Sequence, residues 1–165
     1  QDAFDVLDAA LRAEPENPEL LYESALMAER IERIEVMEGR LRKLIALKPD
    51  HAHAYNALGY SLADRRQRLD EAEALVRKGL ALTPEDPFII DSLGWVLYRR
   101  GELAGALEQL QKAFGLRADP EIAAHLGEVL WMLGRRDEAV RVWKDAAKAN
   151  PDNPVLADVI KKFKP

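Results

Sequence analysis

Aliphatic hydroxyls, imidazoles and carboxylates are the groups through which this sequence could do nucleophilic or acid–base chemistry. The hydroxyls and imidazoles are few: Ser24, Ser61, Ser92, Thr83, His51, His53 and His125. No serine stands in a G-x-S-x-G elbow, and neither a phosphate-binding glycine loop nor a dinucleotide fingerprint occurs. His51 and His53 flank Ala52, yet no histidine or carboxylate at i, i+4 spacing completes a metal cage. The carboxylates are scattered as on solvated helix faces, so nothing selects an acid–base pair. Zero cysteine removes thiolate zinc sites, iron–sulfur clusters, disulfides and a cysteine nucleophile. The expectation is therefore no enzyme, no cofactor and no metal.

Partners are bounded in the same way. A net charge of -5 leaves no basic footprint for nucleic acid. No apolar run approaches the roughly 18 residues of a membrane span, so no transmembrane segment is expected in this stretch. What the sequence does carry is a set of aromatics, Tyr60, Trp95, Tyr98 and Trp131 among them, of the types that most often anchor protein interfaces. Whether they anchor a partner depends on which faces of which elements they occupy.

Those elements follow from the prolines. Of nine, eight lie in short polar joints: Pro15 and Pro18, Pro49, Pro84 and Pro87, Pro120, Pro151 and Pro154; only Pro165 stands apart. Aligning Pro18, Ala52, Pro87, Pro120 and Pro154 gives units of 34, 35, 33 and 34 residues. Six residues into each unit comes Ser24-Ala25, Leu58-Gly59, Leu93-Gly94 or Leu126-Gly127. A second segment then presents Met37, Leu41 and Leu44; Ala72, Val76 and Gly79; Ala106, Leu110 and Ala113; Ala139, Trp143 and Ala146. Spacings of four and three put each set on one helix face, and Trp143 is expected in the core. Asn17-Pro18, Asp86-Pro87, Asp119-Pro120 and Asn153-Pro154 read as caps followed by proline at the first helical position. Gly101 and Gly134 read as left-handed helix ends, and Asp70 with Glu73 as a capping box. The first full unit lacks these glycines, and the second carries one extra residue around Arg65-Arg66-Gln67-Arg68. Glycines inside helices at 59, 94 and 127 imply close helix approach.

The period, the Leu-Gly pair, the Ala-x3-aromatic spacing and the closing proline together resemble the tetratricopeptide repeat (TPR) family over essentially the whole chain. The resemblance implies an all-α fold, a right-handed TPR solenoid of helix-turn-helix hairpins with about ten helices. The expected organisation is 1-17, the second helix of a truncated preceding repeat; repeats at 18-51, 52-86, 87-119 and 120-153; and a capping helix at 154-165. Ala3, Leu7, Ala10 and Pro15 repeat a second half, so the stretch reads as a piece of a longer array.

In such an array first helices line a concave groove, through the residues one, four, eight and eleven places after each unit start. The resulting partner-binding residues are Tyr22, His53, Asn56, Tyr60, Phe88, Asp91, Trp95, Tyr98, Glu128 and Trp131, together with Arg99. Trp95 and Tyr98 are assigned to the groove, with Trp95→Ala expected to spare folding; Trp131 stays open between groove and inter-repeat packing. Lys161, Lys162 and Lys164 read as the soluble outer face of the last helix. A carboxylate clamp is not reproduced, because no lysine stands beside Asn56 in the groove. The aromatics with Asp91, Glu128 and Arg99 suit a peptide bearing apolar anchors.

The stretches Asn56–Asp64, Asp91–Tyr98 and Pro120–Trp131 are similar to the C-terminal repeats of proteobacterial outer-membrane TPR lipoproteins, which include adaptors of a carboxyl-terminal processing protease. That resemblance implies a non-enzymatic scaffold that binds a peptide or protein, the processing protease and its substrates among the partners. It also implies a periplasmic site, outer-membrane anchored through a missing N-terminus, with the cytoplasm as the alternative. The alternative function is a structural assembly subunit of an envelope secretion or polysaccharide-export complex. The identity of the ligand and the oligomeric state are not legible.

Overall fold

The computed structural model describes residues 2–164; Gln1 and Pro165, the outer ends of the expected segments 1-17 and 154-165, lie outside the described residues. Among the described residues there are ten helices: α1 (Asp2–Ala13), α2 (Pro18–Arg30), α3 (Ile34–Leu47), α4 (Ala52–Asp64), α5 (Leu69–Leu82), α6 (Pro87–Arg100), α7 (Leu103–Leu116), α8 (Pro120–Met132), α9 (Arg136–Ala149) and α10 (Pro154–Phe163). Asn17, Asp86, Asp119 and Asn153 each accept from first-turn N–H groups of the helix they precede, with proline following. Each such cap contributes about 1 kcal/mol. α4 lacks the proline, and its cap is His51, whose Nδ1 accepts from the Ala54 N–H at 3.1 Å.

One expected start is corrected. α5 begins at Leu69, ahead of Asp70, and its N-cap is Arg68, with φ 44° and no side-chain cap bond. Asp70 is therefore inside the first turn, where its carboxylate takes the Arg100 guanidinium rather than a Glu73 N–H. At the hairpin turns, Gly101 and Gly134 adopt φ of 87° and 78°. Where the first two units lack glycine, Glu32 and Arg66 take the same left-handed backbone, φ 60° and 54°. A side chain there costs on the order of 1 kcal/mol.

The helices pair as hairpins α2–α3, α4–α5, α6–α7 and α8–α9, stacked so that α4, α6, α8 and α10 abut in an inner row. α2 joins this stack chiefly through the α3–α4 contact. The outer row buries the stripe read from its spacing: Leu41, Leu44, Val76, Leu110 and Trp143 are all wholly buried. Inner helices come close enough to these side chains to require glycine. A Cβ on Gly94 would lie 2.6 Å from Leu110 Cγ, and one on Gly127 would fall inside the Trp143 indole. The Trp143 Nε1–H donates to the Ala124 carbonyl at 3.2 Å, so the core indole leaves no unmet polar atom. At the other end α1 is held by Phe4, buried beneath the Arg33 and Arg40 guanidinia at 4.8 and 4.9 Å.

Candidate functional site

The inner row from α4 to α10 carries a polar and aromatic network, and its centre is a residue outside the expected stripe. His125 on α8 is 8% exposed. Its Nδ1 lies 2.9 and 3.0 Å from the two Asp91 carboxylate oxygens of α6, and its Nε2 lies 3.3 Å from the Tyr60 hydroxyl of α4. The imidazole stacks on Trp95 with centroids 4.1 Å apart. Burial alone would push its pKa down, but the Asp91 carboxylate, by charge and hydrogen bond, outweighs that and holds it above the ordinary histidine value. Burial, with Asp64 and Asp91 nearby, pushes the Tyr60 phenol far up, so it is present as the neutral hydroxyl.

Around this centre the donors share carboxylates, and the Arg99 Nε is covered without a partner. The Trp95 Nε1–H donates to Asp64 at 3.1 Å; Arg99 donates to the same carboxylate at 3.0 Å, its guanidinium 4.7 Å from the Trp95 ring centroid. The Tyr98 hydroxyl donates to Glu128 at 3.0 Å, and Lys162 of α10 reaches the same oxygen at 2.8 Å. Burial and the Glu128 charge raise the Tyr98 phenol to about 12. The network encloses a recess lined by Tyr60, Trp95, Ala124 and His125 on one side and by Val155, Asp158 and Val159 of α10 on the other. The recess offers hydrogen-bonding groups and aromatic faces, and the hydroxyl beside the imidazole is the neutral Tyr60 phenol. Among the described residues no group of three or more His, Asp or Glu side chains is disposed to hold a metal. No described helix is long and apolar enough to cross a membrane.

The expected groove residues divide accordingly. Tyr60, Asp91, Trp95, Tyr98, Arg99 and Glu128 are brought together. Trp95 is nevertheless only 4% exposed, and Asp91 and Glu128 6% each, which corrects the expectation that they stand free on the surface. The reason is that the inner helices abut, so these places also form the floor between units. Tyr22 lies apart, its ring 5.2 Å from the His51 imidazole. His53 is exposed and sits 3.7 Å from Asp86. Phe88, 38% exposed, lies under the Arg117 guanidinium near the α7–α8 joint. Asn56 is half-buried, with its Oδ1 covered and unpartnered. Trp131, left open between two roles, packs against Trp143 and Phe163 with centroids 5.9 and 5.5 Å apart.

Three network members were missed. His125 falls five places after Pro120, one residue round the helix from the chosen stripe. Asp64 and Arg99 each fall twelve places after their unit starts, so a comparison at that place would have paired them. Lys162 falls eight places after Pro154, the place of Tyr60, Trp95 and Glu128. Its reading as an outer-face lysine is corrected by its contact with Glu128.

Comparison with known proteins bears on the fold most directly. The model of a family described as "Tetratricopeptide repeat" matches residues 16–160. A TPR repeat-containing protein of Pseudomonas aeruginosa is 44% identical over 128 residues, 78% of this chain, which spans only 22% of that relative's length. Among solved structures, a thermophilic TPR protein of Thermus thermophilus superposes with a TM-score of 0.86 at 23% identity, covering 98% of this chain and 87% of the other. The MamA protein of Desulfovibrio magneticus gives 0.71 at 20% identity over 93% and 86% of the two chains. YrrB, described as a TPR protein with an unusual peptide-binding site, gives 0.65 at 21% identity over 96% and 84%. These structural likenesses are likenesses of fold.

Proposed function

Since the chain belongs to the tetratricopeptide repeat family, we propose that it is a non-enzymatic scaffold that holds a peptide or partner protein against its inner row. The observation that supports this most is the recess between α4, α6, α8 and α10. Its floor is sealed by packed aromatics, while Asp64 and Asp158 remain exposed at its edge. Half-buried Tyr60 and Tyr98 add aromatic surface with hydroxyls, the combination favoured at interfaces. A peptide-binding site is described for YrrB, whose fold this chain shares, and that is in keeping with this use of the inner row.

Our finer reading rests on resemblance alone: a periplasmic adaptor, anchored at the outer membrane, that delivers substrates to a carboxyl-terminal processing protease. The test uses photo-crosslinking residues at His53 and Phe88, both exposed on inner helices, with Glu108 on the outer helix α7 as the control, in the full-length protein. A discrete partner captured from His53 and Phe88 but not from Glu108 is the expected result. Capture from Glu108 alone would remove the groove reading. A processing protease and its substrates among the captured chains supports the adaptor; an outer-membrane pore subunit instead would favour an assembly role.

A further inference from the structure

The charges at the recess do not cancel. His125 is matched by Asp91, Arg99 by Asp64 and Lys162 by Glu128, each through a direct contact. One more carboxylate stands in the same space and another beside it. Glu121 lies on α8 one turn before His125, on the helix face that carries Ala124 and His125 into the recess. Asp158 lies on α10 in the wall of the recess itself. Both are exposed, and among the described residues neither takes an ion pair. Ala124, three residues after Glu121 and lining the recess, is smaller than the Asn56 and Asp91 that hold the equivalent places of the two preceding units. The arginine and lysine that line the recess, Arg99 and Lys162, are committed to other carboxylates.

Resting on the reading that the inner row holds a peptide, we propose that the peptide is basic. An arginine or lysine side chain enters the recess over Ala124 and lies between the Glu121 and Asp158 carboxylates. The aliphatic stem of such a side chain matches Val155 and Val159, and its charged end meets the carboxylates and the half-buried Tyr60 ring. An acidic segment would meet two uncompensated like charges at the same place and is selected against.

The test is selection of short random displayed peptides on the 165-residue chain, with affinities of the enriched sequences read by fluorescence anisotropy at two salt concentrations. Expected are sequences enriched in arginine and lysine whose binding weakens with salt. In the Glu121→Gln/Asp158→Asn variant their affinity falls about fivefold or more. In Glu85→Gln/Glu108→Gln, which removes two exposed charges elsewhere, it changes little. Enrichment of neutral or acidic sequences that compete with a label at Phe88 would overturn the charge proposal and leave the groove reading standing. Basic sequences equally sensitive to both double variants would overturn the proposal as nonspecific attraction. Absence of any sequence competing at Phe88 or His53 would overturn the groove reading and the proposal with it.

Discussion

α2 and α6 occupy the same place in their hairpins, yet they are buried very differently. In α6 every residue from Ile89 to Leu97 is buried, and in α8 every residue from Ile122 to Leu130. In α2 only Leu21, Ser24, Ala25 and Ala28 are, the one stripe that faces α3. The sequence stripe is similar in all three helices; what differs is the neighbours. α6 has α4 and α8 on either side, whereas α2 meets the next hairpin chiefly through α3. A place in a repeat therefore has no burial of its own. The same eighth place is a floor in Trp95 and an open wall wherever the next inner helix stands off.

The largest effect that would break or sharpen this contrast comes from truncating one aromatic in each region. Trp95→Ala removes a buried indole together with its stack on His125 and its bond to Asp64, and should cost about 3–5 kcal/mol. Tyr22→Ala, half-buried and without such a bond, should cost clearly less. Urea unfolding of both variants decides it, and equal losses would erase the distinction between the regions.

A second, smaller effect belongs to the α6–α8 region alone. Asp91 raises the His125 pKa in the folded state above its ordinary 6.5, so its contribution to stability is fully present below that value. It is lost as pH rises through the raised folded pKa. The unfolding midpoint of the wild type should thus decline with pH above about 6.5 relative to His125→Gln. Burial pushes His51 the opposite way, which is why the difference between the two proteins is the quantity to follow. A midpoint difference that stays constant with pH would mean that the ion pair contributes nothing at neutral pH.

The smallest effect tests the turns of the two regions. Glu32→Gly relieves a left-handed side chain and should stabilise by no more than about 1 kcal/mol, since glycine also loosens the unfolded chain. Gly101→Ala at the matching turn should destabilise by a similar amount. Thermal melts of the pair should move in opposite directions; movement in the same direction would show that the two turns are not equivalent.

What was legible in the sequence was what each unit states locally. Asn-Pro and Asp-Pro joints mark helix starts through cap and ring chemistry, and the Leu-Gly pairs mark close approach, because neither depends on the next repeat. The candidate site was legible only in part. Tyr60, Asp91, Trp95, Tyr98 and Glu128 came from phase, with Arg99 named beside them, and they do meet. Their burial was not legible, because it is set by α4, α6 and α8 abutting one another. His125 was passed over since it lies off the stripe; with only Ala124 at the fourth place, the imidazole at the fifth reaches Asp91 and Tyr60. Arg68 was missed as a left-handed residue because composition at a loop says little about which side chain takes the strained backbone.

The contact between Tyr60 and His125 joins residues 65 positions apart, from the unit that starts at Ala52 to the one that starts at Pro120. Solenoids ordinarily unfold as a chain of nearest neighbours, one unit giving way beside the next. A bond that skips a unit ties three hairpins into one cooperative block. Amide exchange should accordingly find a single protected foldon from α4 to α9, with α1 to α3 opening at lower free energy as a separate flap.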